Sequence, residues 1–304
     1  MFDDEKLIEK IKSLKKEKNA VILAHCYQRV EIDEVADFVG DSLQLSRLAA
    51  DTDADIIVFA GVYFMAETAK ILSPNKKVLI PRTEAGCRMA DMLDLQQVRE
   101  FKSLYPDLPL VCYVNSTAEV KAEADICCTS ANAVQVVKSL NCPKVLFAPD
   151  KYLGTYVSKQ LENVEVITYP GYCPTHIAIT VEDVQNMKNK YPDAKVLVHP
   201  ECNQNVVALA DFTGSTTAIM KFAKESENKE FIIVTEKGVV DRLERDCKDK
   251  NFILVSPRAV CPNMKLNTLR DIYEVLLNET NEVVVEEKIA QGARQSIERM
   301  IAVN

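Results

Sequence analysis

VILAHCYQ, residues 21–28, is a β-branched apolar run that ends abruptly in histidine, tyrosine and glutamine. Displaced by 88 positions it falls on PLVCYVNS (109–116), and displaced by 174 it falls on KVLVHPEC (195–202). Two more stretches recur at the same offsets. ADFVGDS (36–42) falls on ADICCTS (124–130) and ADFTGST (210–216), and FAGV (59–62) falls on FAPD (147–150) and IVTE (233–236). Each match is short, but their shared order and offsets make chance a poor account of the set. The chain reads as an internal triplication of one α/β unit.

Outward from these anchors, nine apolar runs read as buried strands. They are VILAH (21–25), DIIVFA (55–60), KVLIP (77–81), PLVCYV (109–114), KVLFA (144–148), VEVIT (164–168), KVLVH (195–199), FIIVT (231–235) and FILVS (252–256). Helix-length segments such as DSLQLSRLAA and ANAVQVVKSL lie between them. Strand alternating with helix implies parallel sheets covered by helices. The expected fold is α/β, with three similar α/β/α units whose parallel sheets surround a pseudo-three-fold axis. The expected boundaries are an N-terminal helix at 1–19, units at 20–106, 107–194 and 195–265, and a C-terminal helical tail at 266–304 packed outside them.

Composition removes several classes of function. A formal charge of −8 argues against a nucleic-acid surface, which needs a basic stripe. No apolar run approaches membrane-spanning length, and the charged N-terminus lacks the apolar core of a signal peptide. A cytoplasmic protein is expected, with reduced cysteines and no disulfide framework. The eight glycines form neither a dinucleotide-binding fingerprint nor a P-loop, so those readings lose their main support.

Most of the ten cysteines are expected to be small buried hydrophobes, Cys112, Cys127, Cys128 and Cys142 among them. Three stand apart. Cys87, Cys173 and Cys261 each follow the third predicted strand of a unit, in PRTEAGC, YPGYC and SPRAVC, at spacings of 86 and 88. Ligands of open α/β sheets bind beyond the carboxyl ends of the strands. Three units about one axis would bring three thiolates together there, which suggests a metal centre. Three is one short of a closed cluster or structural zinc site, so an open-iron [4Fe–4S] cluster and a three-thiolate zinc with water are both compatible. Unrelated buried cysteines in diverged repeats are the plain alternative. Cys173 also stands three positions before His176 in TYPGYCPTH (168–176), but an isolated C-x-x-H carries little weight. The repeat pairs Cys173 with Cys87 and Cys261, leaving His176 as a neighbour of the substrate.

Polar trios occupy other equivalent positions. His25, Tyr113 and His199 end the first strands, and Tyr27, Asn115 and Glu201 follow two residues later, on the same side of an extended chain. Ser42, Ser130 and Thr216 precede helical patterns. Singly each reads as a helix cap; three converging helix N-termini would instead form an anion site. The only three histidines, His25, His176 and His199, all fall in these motifs, which favours a functional role.

Taken together, ILAHCYQ, ADFVGDSLQLSR, FAGVYFMAETAKIL, AGCRMADM, YVNSTAEVKAEAD, TSANAVQVV, GYCPTH, VLVHPEC, FTGST, VTEKG and CPNMKLNTL resemble the quinolinate synthase (NadA) family over essentially the whole chain. The resemblance implies a transferase and dehydrating cyclase of de novo NAD biosynthesis. It would condense iminoaspartate with dihydroxyacetone phosphate, losing phosphate and two waters. It also implies three α/β/α domains around a central [4Fe–4S] cluster held by Cys87, Cys173 and Cys261, whose open iron acts as a Lewis acid.

By the same motif match, His25, Ser42, His199, Ser215 and Thr216 would hold substrate carboxylates. Ser130, with Tyr113 and Asn115, would seat the phosphate or the developing chain. Tyr27 and Glu201 would transfer protons, with His176 beside them and the Glu201 carboxyl expected to be raised by burial. The imine would come from an aspartate oxidase or an aspartate dehydrogenase. The family commonly reads A-H-N-Y-Q where this chain has AHCYQ, so Cys26 replaces an asparagine. Cys26 and Cys202 are candidate competitors for metal, and Cys247 has no assigned role. An aconitase-like hydro-lyase and a redox sensor remain the competing functional readings.

Overall fold

The computed structural model describes residues 4–303. A helix spans Asp4–Glu17 within the expected 1–19 segment, whose positions 1–3 lie outside the described residues. Three four-stranded parallel sheets follow along the chain. The first holds β1 (Ala20–His25), β2 (Phe38–Gly40), β3 (Ile56–Ala60) and β4 (Lys77–Leu79). The second holds β5 (Leu110–Tyr113), β6 (Ile126–Cys128), β7 (Lys144–Ala148) and β8 (Glu165–Thr168). The third holds β9 (Lys195–Val198), β10 (Phe212–Thr213), β11 (Glu230–Val234) and β12 (Asn251–Leu254). Strand order is the same in all three, β2-β1-β3-β4 and its equivalents.

The repeat extends to the hydrogen-bonded register. Ala24 pairs with Val39, Cys112 with Cys127 and Val198 with Thr213, each pair displaced by the sequence offsets of 88 and 174. Leu23 pairs with Phe59, Val111 with Phe147 and Leu197 with Ile233. Val58 pairs with Leu79, Leu146 with Ile167 and Ile232 with Ile253.

The second strand of each unit was not legible as a strand. β2, β6 and β10 are two or three residues long, too short for a periodic signal, and lie at sheet edges. An aspartate fixes each one. The backbone N–H groups of Asp37, Asp125 and Asp211 donate to the carbonyls of Ile22, Leu110 and Val196. Their carboxylates accept from the N–H of those same residues, at 2.8 Å in all three cases. The repeated Ala-Asp is therefore a clamp that sets the edge register.

Neighbouring residues on a strand point to opposite faces, and Ile22 and Leu23 are both fully buried. Both faces of the sheet are accordingly covered, which explains the continuous apolar runs. The C-terminal segment supplies part of this cover. Its helix Leu269–Asn278 buries Leu269, Ile272 and Leu276 against Leu7, Ile11 and Ile22. Its helix Glu287–Ala302 crosses the second unit's helix Ala118–Ala122 and β6. Gly292 permits that approach, because a Cβ there would stand 3.0 Å from the Cβ of Ala122. The tail is thus a wall of the first and second units, and Asn267 at its start reaches inward to the carbonyl of Gly61 at 2.8 Å.

Candidate active site

The carboxyl ends of the three sheets surround a cavity of about 260 Å³. The first unit contributes His25, Tyr27, Ser42 and Cys87 to its wall. The second contributes Tyr113, Asn115, Ser130, Cys173 and His176. The third contributes His199, Glu201, Thr216 and Cys261. Of the residues expected here from sequence, Ser215 alone does not line the cavity.

The strand-end histidines share one local geometry. Nδ1 of His25 accepts from the N–H of Tyr27 at 3.1 Å, and Nδ1 of His199 accepts from the N–H of Glu201 at 3.3 Å. A neutral ring that accepts at one nitrogen carries its proton on the other. Burial first, then Arg242 and Lys265, lowers His25 to about 3. Burial also lowers His199 to about 3, against the opposing pull of Glu201. Both rings are neutral near pH 7 and present a fixed Nε2–H. For His199 this nitrogen lies 3.3 Å from Oγ of Ser130.

The hydroxyl trio is less uniform than the repeat suggested. The helix Ser42–Asp51 is capped by Asp41, whose carboxylate accepts from the N–H of Leu43 and of Gln44, leaving Ser42 as the first helical residue. Ser215 caps the helix Thr216–Glu225 by accepting from the N–H of Ala218 at 3.3 Å, leaving Thr216 facing the cavity. Ser130 instead lies in a turn closed by Thr129 and Asn132, ahead of the helix Ala133–Ser139. Two helix N-termini, not three, stand directly behind these hydroxyls.

A hydrogen-bonded chain links all three units. Glu201 Oε1 accepts from the hydroxyl of Tyr113 at 2.5 Å, and Glu201 Oε2 lies 2.7 Å from Nδ1 of His176. His176 Nε2 lies 2.9 Å from Oγ1 of Thr235. Thr235 reaches the hydroxyl of Tyr27 at 2.9 Å, and Tyr27 reaches Oγ1 of Thr216 at 2.9 Å. Burial drives Tyr27 and Tyr113 well above the usual phenol range, with Glu201 adding to it, so both remain donors. The expectation that Glu201 is raised does not hold. Burial pushes its carboxyl up, but His176 and His199 beside it and hydrogen bonds from His176 and Tyr113 outweigh burial and hold it at about 2. It is an ionised acceptor.

The cysteine loops follow β4, β8 and β12. Cys87 and Cys261 lie eight residues after the register-equivalent Leu79 and Ile253, whereas Cys173 lies six after Ile167. The shorter second loop leads at once into the helix Pro174–Ile177, which turns His176 inward. Burial raises all three thiols, Cys87 to about 12. Each is therefore protonated until a metal displaces the proton.

Three cysteine thiols opening into one cavity are a donor set that fits an iron–sulfur cluster as well as a single zinc. Cys26 and Cys202 are fully buried and do not line the cavity, so neither competes for its contents. Cys112, Cys127 and Cys128 are fully buried strand residues, and Cys247 ends the helix Gly238–Asp246.

A family model described as quinolinate synthetase A protein matches residues 9–302. The chain belongs to this quinolinate synthetase A family. Curated relatives from the family extend over nearly the same length. A quinolinate synthase of Alkaliphilus metalliredigens is 52% identical over 302 residues, covering 99% of this chain and 100% of that protein. One of Dehalococcoides mccartyi strain CBDB1 is 54% identical over 299 residues, covering 98% and 99%. One of Geobacter sp. strain M21 is 52% identical over 299 residues, covering 98% of each. Members of the family are enzymes, and this chain is one of them.

Sequence reasoning missed Thr235 and Glu236, which directly follow β11 inside the family motif VTEKG. Thr235 joins His176 to Tyr27. Glu236 lines the cavity and accepts from the N–H of Cys261 at 3.2 Å and from Nζ of Lys265 at 3.1 Å. Their signal in the sequence is IVTE (233–236), the repeat equivalent of FAGV (59–62) and FAPD (147–150).

Proposed function

We propose that this chain is a quinolinate synthase of de novo NAD biosynthesis, condensing iminoaspartate with dihydroxyacetone phosphate and releasing phosphate and two waters. The observation that carries the reading is the cavity itself. One cysteine from each of three repeated units (20–106, 107–194 and 195–265) opens into it beside the neutral imidazoles of His25 and His199, hydroxyls and the ionised carboxylate of Glu201. Membership of the family, whose curated members bear that name, adds support.

In this reading Cys87, Cys173 and Cys261 hold a [4Fe–4S] cluster. When bound, the cluster supplies an open iron that polarises a substrate oxygen as a Lewis acid. The chain's own groups do the rest. The Nε2–H of His25 and of His199, with Ser42 and Thr216, donate to substrate carboxylates, and being neutral they bind without requiring a counter-charge. Ser215 acts through Thr216 by capping its helix. Tyr113, Asn115 and Ser130 seat the phosphate-bearing reactant. Glu201, ionised, accepts the proton released on enolisation and passes one on through His176 and Thr235 to Tyr27, whose phenol returns a proton to a leaving oxygen. The imine is supplied by oxidation of aspartate, through an oxidase or a dehydrogenase, and the enzyme works in the cytoplasm. No helix among the described residues is long and apolar enough to cross a membrane.

The test is anaerobic incubation of cluster-loaded protein with dihydroxyacetone phosphate and freshly generated iminoaspartate. Quinolinate should accumulate, and none from protein carrying about four irons per chain would favour a hydro-lyase or a sensor. Single replacement of Cys87, Cys173 or Cys261 by Ser should abolish the cluster, whereas Cys112→Ser should leave it intact.

A further inference from the structure

Cys173 belongs to two constellations at once. One is the cysteine trio. The other is local: Cys173 Sγ, His176 Nδ1 and a Glu201 oxygen all lie within 4.8 Å of one another. His176 Nδ1 is 3.2 Å from Cys173 Sγ and 2.7 Å from Glu201 Oε2. We propose that the cluster-free chain holds one mononuclear divalent transition-metal ion, of the zinc class, on Cys173, His176 and Glu201.

The donor set is the argument. One thiolate, one imidazole nitrogen and one carboxylate oxygen are all zinc ligands. Tetrahedral zinc with ordinary bond lengths would hold that nitrogen about 3.6 Å from the sulfur and about 3.3 Å from the oxygen. Both gaps here are shorter by roughly half an ångström, as expected where a proton rather than an ion lies between the atoms. The backbone supports the set. Cys173 precedes the helix Pro174–Ile177, so one turn places His176 over it, and Glu201 arrives from the end of β9.

Partners behind the ligands are also in place. Thr235 Oγ1 meets the far nitrogen of His176, and the hydroxyl of Tyr113 holds the other oxygen of Glu201. Such partners orient metal ligands and fix the imidazole tautomer. His176 and Glu201 are buried, and all three ligands line the cavity, so the ion's fourth position faces the cavity. Binding is balanced by release of the Cys173 thiol proton and by transfer of the imidazole proton from Nδ1 to Nε2, where Thr235 accepts it. No redox partner is required.

The inference is independent of the substrate reading but carries a consequence for it. An ion on Cys173 excludes any cluster that needs the same sulfur, so zinc would block cluster insertion until it is chelated.

Zinc titrated into reduced, cluster-free, full-length chain against a chromophoric chelator should bind at one ion per chain. Cys87→Ser and Cys261→Ser should keep it, Cys173→Ser and His176→Ala should lose it, and Thr235→Val should weaken it about tenfold. Cobalt bound to the unaltered chain should show the charge-transfer intensity of one thiolate, a measurement that needs no variant to fold. Loss of zinc in Cys87→Ser or Cys261→Ser, a cobalt spectrum of three thiolates, or no stoichiometric binding would each overturn the proposal. None of these outcomes bears on whether cluster-loaded protein makes quinolinate.

Discussion

The hydroxyl of Tyr27 and Oγ1 of Thr235 lie 2.9 Å apart, and Thr235 is in turn 2.9 Å from Nε2 of His176. Tyr27 follows β1, Thr235 follows β11, and His176 lies beyond β8, so one buried threonine ties together residues from all three sheets. A hydroxyl can accept from one neighbour while donating to another, which suits it to pass a proton between a phenol and an imidazole. Thr235→Val removes that link and little volume. Turnover should fall by about a hundredfold, the low end for a lost acid–base path, with KM changed far less. Thr235→Ser should restore most of it. Steady-state kinetics of the three proteins decides, and equal turnover in the valine variant would remove Thr235 from the relay.

The aspartate clamps predict a loss of stability with no effect on chemistry. Asp125 accepts from the N–H of Leu110 at 2.8 Å and donates its own N–H to the Leu110 carbonyl, and it does not line the cavity. A hydrogen bond to a charged acceptor contributes about 1.5–3 kcal/mol. Asp125→Ala should therefore destabilise by an amount in that range, read from urea unfolding, while cluster content stays at the level of the parent.

These clamps also show what the sequence could and could not reveal. The repeat was legible because buried parallel strands need continuous apolar runs, and nine such runs stood at constant offsets. β2, β6 and β10 were not legible, since two or three residues of edge strand carry no periodicity. Their aspartates were visible in the alignment, but their double bond to the neighbouring strand was not. The site followed the same division. Cys87, Cys173 and Cys261 emerged from equivalent positions, as did His25 and His199. The ionised state of Glu201 was not foreseeable, because it depends on His176 arriving from another unit at 2.7 Å. Thr235 was missed for a similar reason: a threonine at a strand end looks ordinary until its two partners converge.

Arg242 should couple unit packing to substrate binding. Its guanidinium donates to the carbonyls of Cys26 and Gln28 at 2.7 and 3.0 Å and to Asp33 at 2.5 Å, with both side chains of the ion pair buried. It thereby holds the loop that carries His25 and Tyr27. Gly238, one helical turn earlier, makes the approach possible, because a Cβ there would meet the Cys26 carbonyl at 2.6 Å. Asp33 also accepts from Arg245 at 2.6 Å, so losing Arg242 leaves it one guanidinium partner and costs less than the ~3–5 kcal/mol of an orphaned buried charge. Arg242→Met should lose stability by less than that, because Arg245 stays on Asp33, and should raise KM. Arg242→Lys should recover only part, because an ammonium cannot reproduce the fork. Denaturation and KM measured on the same preparations would check both effects, and an unchanged KM would show that the loop holds itself.

His25 should make the cluster-free chain acid-sensitive through a defined window. Its ring is fully buried, and burial, with Arg242 and Lys265, lowers it from 6.5 to about 3. The folded value is thus below the unfolded one. Above pH 6.5 neither state binds the proton and His25 contributes no pH dependence. As pH falls below that value the unfolded chain takes up a proton that the folded chain refuses, so stability declines until pH approaches 3. The limiting slope for one group is about 1.4 kcal/mol per pH unit. His25→Gln removes one such group, and its constant structural cost cancels when the same protein is compared at two pH values. Between pH 7 and pH 5 the parent should therefore lose about 2 kcal/mol more than the variant. Urea unfolding at the two pH values measures the difference. Equal losses would mean that the His25 ring already accepts a proton inside the folded chain.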